Sequence, residues 1–232
     1  MPQHTYRRFD DELNQIRDLM LTMGSRIEKA IDRSVSSFLE ADPTEARRAI
    51  DEDSTVNAME VRIDEMLRRI LALRQPAGRD LRFLISNMKV VTDLERIGDL
   101  AVSIAKCTLE AGQRPTQQTK IASMSGQVQK QVNTALDALS REDNDLAMQV
   151  IENDKEIDAL YRDIYRETVS GLLDSPQDVS LMITLTNVIK NLERIGDHAT
   201  NIAEMVIYTV VGHDIRHVDH QSAAALLQKH SD

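Results

Sequence analysis

Leu94-Glu95-Arg96-Ile97-Gly98-Asp99 and Leu192-Glu193-Arg194-Ile195-Gly196-Asp197 are the same six residues, 98 positions apart. The match runs past the hexapeptide. Asp80 and Asp178, Val90 and Val188, Ala101 and Ala199, and Ile104-Ala105 and Ile202-Ala203 keep the same offset. A repeat on this scale marks a chain built from two copies of one folding unit, each on the order of 100 residues.

Around each hexapeptide the apolar residues recur at spacings of three and four. Val90, Leu94, Ile97, Ala101, Ile104 and Thr108 form one helical face, and Val188, Leu192, Ile195, Ala199 and Ile202 form its copy. Glu95 and Asp99 stack four apart, away from that stripe, as do Glu193 and Asp197. Like charges at this spacing repel by about a few tenths of a kcal/mol. The same pair in both halves asks for a counter-charge, either a cation or a basic partner surface. The plainer alternative is a surface ion pair within each helix, Arg96 with Asp99 and Arg194 with Asp197.

Composition narrows the classes. The 232 residues carry a formal charge of −10, which argues against nucleic acid as the main ligand, because phosphate contacts need Lys and Arg. An acidic surface suits metal cations or basic protein faces. Aromatic residues are only 3% and tryptophan is absent, so the core must be aliphatic. The single cysteine, Cys107, excludes an internal disulfide and fits a reducing compartment. Residues Met1 to Asp11 lack the apolar core of a secretory signal, and no apolar run reaches the length of a membrane span. A cytoplasmic protein is expected.

Read in order, the chain predicts six helices. The first runs from Phe9 to Leu39, with Gly24 either a cost or a point of close packing. Asp42 before Pro43 reads as an N-cap for a second helix, Pro43 to Leu73. Its polar face carries Asp53, Asn57, Glu60 and Asp64. The third helix spans about Arg79 to Ala111, with Gly112 suited to a C-cap. The second half repeats the plan with helices of about Thr116 to Ser140, Glu142 to Leu173 and Pro176 to Val211. Val150-Ile151-Glu152-Asn153-Asp154 resembles Ala49-Ile50-Asp51-Glu52-Asp53 at an offset of 101, so Asp154 and Asp158 match Asp53 and Asn57. The expected fold is all-α: two tandem, pseudo-symmetric three-helix bundles over residues 8–113 and 114–212, with a tail over 213–232. The tail holds His213, His217 and His220, and an apolar patch from Ala223 to Leu227 that could dock on the body or on a partner.

Several segments are recognisable as well. Val56-Asn57-Ala58-Met59-Glu60 with Ile63-Asp64-Glu65, Arg74-Gln75-Pro76, Asp80-Leu81-Arg82, both hexapeptides and Arg216-His217-Val218 resemble the PhoU family in order and spacing, over nearly the whole chain. The resemblance implies a non-enzymatic, generally homodimeric, cytoplasmic regulator of the phosphate-starvation response. It would connect the ATPase of the Pst phosphate transporter with the sensor kinase PhoR beside the inner membrane. It also implies metal binding on paired carboxylates. The ligands would be Glu95, Asp99, Asp53 and Asn57 in the first half, and Glu193, Asp197, Asp154 and Asp158 in the second. Asn57 departs from the all-acidic pattern, so the first site should bind more weakly or prefer another ion. Oxygen ligands favour Mg, Mn or Ca ions; Fe or Zn would come by analogy with the family. Arg96 and Arg194 are candidate partner-binding or phosphate-contacting residues.

Two rival readings bear on the same acids. A metal-independent adaptor would use them as bare charges against a basic partner. A carboxylate-bridged metalloenzyme would need inward-facing Glu-x-x-His pairs. Here His198 has Leu100 as its counterpart, so no duplicated histidine ligand exists, and no nucleophile–base pairing stands out.

Overall fold

A computed structural model describes residues 2–115, 117–174 and 179–216. Six helices follow one another: α1 (Pro2–Glu40), α2 (Pro43–Arg74), α3 (Gly78–Ala111), α4 (Gln118–Arg141), α5 (Asn144–Asp174) and α6 (Val179–Val211). Among the described residues there is no strand. No helix among them is long and apolar enough to cross a membrane.

The boundaries follow local chemistry. Asp42 Oδ1 accepts from the N–H groups of Thr44 at 2.8 Å and Glu45 at 3.2 Å, and Pro43 fills the first helical position. Gly112 ends α3 at φ 62°, where its lack of Cβ removes the strain of the left-handed region. The expected start of the fifth helix at Glu142 is corrected. Glu142 adopts φ 52° and closes α4, as Ala41 at φ 54° follows α1. Asp143 then caps α5 through its Oδ1, 2.9 Å from the N–H of Asp145 and 3.0 Å from that of Leu146. The first helix starts at Pro2, ahead of Phe9 where apolar periodicity begins. Thr116 and Pro176, the expected starts of the fourth and sixth helices, lie outside the described residues, as do His217, His220 and the Ala223 to Leu227 patch. Of the tail, Ile215 is buried against the core.

Each half folds as an up-down-up arrangement of three helices whose apolar stripes meet. The core is aliphatic, with Ile16, Met20, Met23, Ile27, Ile31, Ile63, Leu67, Leu84, Leu94, Ile97 and Ile104 fully buried in the first half. Ile121, Met124, Val128 and Val132 sit 101 positions after Met20, Met23, Ile27 and Ile31 and are equally buried. The two halves share one continuous apolar core. Gly24 resolves here as a point of close packing: a Cβ on it would stand 2.7 Å from Leu136 of α4, a distance no real Cβ tolerates.

The seam between the halves is made chiefly by α3 against α6. His198 Nδ1 lies 2.8 Å from Asp93 Oδ1, Asn201 Nδ2 donates to the same oxygen at 3.2 Å, and Arg82 Nε donates to the Thr209 carbonyl at 3.3 Å. Low residue numbers on α3 therefore face high ones on α6. The helices run antiparallel, and the midpoint of their pairing falls at the two hexapeptides.

Candidate functional site

Within each hexapeptide, Leu and Ile point into the core and Glu and Asp point toward the preceding helix of the same half. At Gly98 the neighbours of an added Cβ stand at ordinary contact distance, whereas a Cβ on Gly196 would crowd Gln131 Oε1 at 3.1 Å. A Cβ on Gly98 would meet Val56 Cγ1 at 3.4 Å and Asp53 Oδ1 at 3.5 Å. A Cβ on Gly196 would meet Ile157 Cδ1 at 3.4 Å and Asp154 Oδ1 at 3.6 Å. In both halves an aspartate of α2 or α5 lies in contact range of the motif glycine, beside the two motif acids.

The first cluster joins Asp53, Glu95 and Asp99, and adds Glu60. Burial raises the Glu95 carboxyl above its ordinary range, and Asp99, Glu60 and Asp53 push it further in the same direction against Arg96. Burial also raises Asp53, with Asp99 adding to it, while Asn57 and Lys106 oppose the shift. Asn57 Nδ2 donates to Asp53 Oδ2 at 2.9 Å, so this residue meets the carboxylate as a hydrogen-bond donor. The expected Arg96–Asp99 pair is not formed. Arg96 Nε instead lies 3.6 Å from Glu95, its chain neighbour, a long contact for an exposed arginine.

The second cluster joins Asp154, Asp158, Glu193 and Asp197. Burial raises Glu193, then Asp197, Asp158 and Asp154 add to it, and Arg194 offsets only part. Asp197 is raised by burial, then by Asp154 and Asp158, with His198 and Arg194 opposing. Asp158 is held by Arg162 at 3.1 Å, one turn along α5. The position of Glu60 is taken by Tyr161, whose hydroxyl pKa is raised by burial and by Glu193. Farther along α6, Glu204 stands where the first half has Lys106. Its carboxyl is raised to about 7, mainly by burial, with Asp214, Asp93 and Asp154 adding and Arg216 opposing.

All eight expected ligand positions thus fall in two clusters, four to each half. Among the described residues, no three Asp, Glu, His or Cys side chains converge on a common point as a finished ligand set. The donor chemistry nevertheless fits a hard cation: oxygen donors, like charges raising one another, and too little basic charge to neutralise them. Asp99 and Asp197, both exposed, have room to turn toward an ion. Cys107 takes no part; burial pushes its thiol up to about 11.

Arg96 and Arg194 lie on the other side of the motif acids from α2 and α5. They line one cleft of about 670 Å³ between α3 and α6, together with Asp99, Asp197 and His198. Its rim is asymmetric, because Asp93 and His198 have Asn191 and Leu100 as counterparts.

Sequence reading missed Glu60 and Tyr161 as cluster members, although both lie seven residues beyond the key aspartate on the same helical face. It also missed Gln131. This side chain is 2% exposed, within the apolar stripe of α4. Its Nε2 lies 3.1 Å from Asp154 Oδ1, 3.1 Å from Thr200 Oγ1 and 3.2 Å from the Val150 carbonyl. Little signal was available, since Gln131 is one of three polar residues in a row between Val128 and Val132.

Comparison with known proteins agrees with this duplication. The family model of the PhoU domain matches residues 20–108 and again 121–206. A phosphate-specific transport system accessory protein PhoU homolog from Pseudomonas aeruginosa is 42% identical over 221 residues, covering 94% of this chain and 91% of that protein. The accessory protein PhoU of Escherichia coli K12 is 34% identical over 218 residues, covering 93% and 90%. The crystal structure of PhoU from Pseudomonas aeruginosa superposes with a TM-score of 0.86 at 41% identity, over 88% of this chain and 100% of that one. That of the phosphate transport system regulatory protein PhoU from Streptococcus pneumoniae gives 0.83 at 27% identity, over 89% and 98%.

Proposed function

The chain belongs to the PhoU family, and from that premise we propose that it is a non-catalytic, cytoplasmic negative regulator of the phosphate-starvation response. In this reading it links the ATPase of the Pst transporter to the sensor kinase PhoR and tunes phosphate uptake, acting as a homodimer. The observation that carries the mechanism is the pair of under-neutralised carboxylate clusters, set at equivalent places on both halves. Each is a local excess of negative charge that a cation or a basic partner surface would relieve.

The cation, Mg, Mn, Ca or Fe by donor chemistry and family likeness, would be held by Asp53, Glu95 and Asp99, and by Asp154, Asp158, Glu193 and Asp197. When bound, it would supply positive charge that offsets these acids. The protein's own residues set how strongly it is held. Asn57 and Lys106 lessen the negative charge of the first cluster, whereas Asp158 and Glu204 deepen that of the second. The second cluster is therefore the tighter cation site.

The test combines metal analysis, binding and regulation. Protein purified without chelator should carry metal, and the Glu193→Gln, Asp197→Asn variant should carry less. A variant with all four hexapeptide acids neutralised should stay helical yet fail to repress a phosphate-starvation reporter, and should bind the kinase and the transporter ATPase more weakly. Full repression by that variant would refute the proposal. The same charge excess supports one second reading, a metal-independent adaptor whose basic partner neutralises the acids directly. That reading is the right one if the variant loses regulation while the native protein binds its partners equally well with and without chelator.

A further inference from the structure

The two halves differ at one position beside the clusters, where Gln131 is buried and its counterpart leaves a groove open. Gln131 of α4 corresponds to Ala30 of α1, at the same offset of 101 that relates Val150 to Ala49 and Asp154 to Asp53. Thr200 corresponds to Val102 at the hexapeptide offset of 98. The three groups that the Gln131 carboxamide touches in the second half are thus the counterparts of Ala49, Asp53 and Val102. In the first half these three residues and Ala30 line an open groove of about 490 Å³ between α1, α2 and α3. The groove includes the place that the Gln131 carboxamide occupies in its twin.

Its acceptor is also in place. Asp53 receives the Asn57 amide on Oδ2 at 2.9 Å. Its other oxygen, Oδ1, lies beside Gly98 as Asp154 Oδ1 lies beside Gly196, at 3.5 and 3.6 Å from the respective Cβ positions. Asp154 Oδ1 accepts the Gln131 N–H; Asp53 Oδ1 has no such donor from α1, where Ala30 stands. Val102 offers an apolar wall for a methylene stem. Arg26 and Lys29, which also line the groove, can donate to an amide oxygen.

We propose that this groove binds a primary carboxamide, which donates an N–H to Asp53 Oδ1 and occupies in the first half the place that Gln131 occupies in the second. Two sources carry this chemistry: free glutamine or asparagine, and the side chain of such a residue in a partner polypeptide. The volume is in the range of small-ligand pockets. The inference does not rest on the regulatory reading above, and it is tested without any partner.

The experiment is an amide-resolved NMR titration of the full chain in chelator-containing buffer. The probes are L-glutamine and N-acetyl-glutamine N-methylamide, with the side-chain N,N-dimethyl form of the latter as a control that lacks the side-chain N–H donors and keeps the two secondary amides. At least one primary amide should shift Ala30, Ala49 and Val102 saturably, and the dimethyl form should bind at least tenfold more weakly. Response to the capped residue identifies the polypeptide source; response to free glutamine alone identifies the small molecule. Ala30→Gln should fold normally and lose the response, because the groove then carries its own carboxamide. Gln131→Ala should gain a second set of shifts at Val150, Asp154 and Thr200. No saturable shift from either amide, an equal response to the dimethyl control, or an unchanged response in Ala30→Gln would each overturn the proposal.

Discussion

The acid clusters of the two halves share a backbone plan but differ in how their charge is managed. In the first half, Asn57 donates to Asp53 and Lys106 lies near enough to lower its carboxyl, while the space beside it stays open. In the second, Asp158 and Glu204 replace Asn57 and Lys106, and Gln131 seals the flank of Asp154. Duplication has preserved the geometry that brings three helices together at the motif glycine. The side chains around that glycine have diverged. One half now has a softened charge beside a groove, and the other a concentrated charge beside a filled core.

The sharpest way to break this comparison is to exchange the residue that fills the flank. Gln131→Ala should cost about 2–3 kcal/mol, since it leaves a cavity and deprives Asp154 of its donor. Ala30→Gln should change stability by less than about 1 kcal/mol, because the groove already has room for the side chain. Urea unfolding of both variants gives the difference. Near-equal costs would mean that the groove and the filled site are not structural counterparts.

The motif glycines give the next largest contrast. A Cβ on Gly196 would stand 3.1 Å from Gln131 Oε1, whereas the nearest atom to one on Gly98 is at 3.4 Å. Gly98→Ala should be neutral or stabilising, gaining up to about 0.5–1 kcal/mol in helix propensity. Gly196→Ala should lose that gain and about 1 kcal/mol more, as it forces the carboxamide to shift. Thermal unfolding of the two single variants measures the gap, and Gly196→Ala in a Gln131→Ala background should close it.

A pH contrast follows from Glu204 and Lys106. The Glu204 carboxyl is raised to about 7 in the folded protein from an ordinary value of 4.5. The folded state thus holds this proton longer than the unfolded one. Its contribution is most favourable below pH 4.5 and is lost as pH rises through about 7. Glu204→Gln should therefore stabilise the protein at pH 8 by about 1 kcal/mol after allowance for solvent screening, with no difference at pH 4. The raised carboxyls of Asp53, Glu95, Glu193 and Asp197 act in the same direction. The decline toward alkaline pH should persist in part in the Glu204→Gln variant and flatten when a divalent cation is added.

The smallest effect concerns position 57. Asn57→Asp should destabilise the metal-free protein by about a few tenths of a kcal/mol through repulsion with Asp53, four residues away. It should also enlarge the shift in melting temperature produced by Mn²⁺. If the variant responds to the cation no more than the native chain, the charge of the first cluster does not set its affinity.

What could be read from the sequence follows from which forces act locally. The helices were legible because Leu94, Ile97 and Ala101, and their copies, recur at helical spacing, and because Asp42 and Gly112 carry capping chemistry in their own residue types. The motif acid pairs were legible because helical spacing places Glu95 and Asp99, or Glu193 and Asp197, on single faces, whereas Asp53, Asn57, Asp154 and Asp158 entered as ligands through the family resemblance. The start of the fifth helix was placed two residues early, at Glu142, since the left-handed backbone there is imposed by the tight joint before Asp143 and not signalled by the residue itself. The Arg96–Asp99 pair failed because i,i+3 spacing allows an exposed contact without selecting it from others of equal energy. Gln131 was hidden for a different reason. Its role depends on Asp154 and Thr200, which the chain brings to it only through tertiary packing.

One consequence of the antiparallel seam goes beyond either half. Because α3 meets α6 with the hexapeptides at the centre, each half offers the other nearly the same surface that it receives. This is the self-complementary logic of a two-fold homodimer, realised within one polypeptide. The short connection between α3 and α4 therefore acts mainly as a tether that raises the effective concentration of one half for the other. Covalent linkage is also what lets the two sides of a pseudo-symmetric contact take different residues, such as His198 facing Asp93 while the symmetry-related positions hold Leu100 and Asn191.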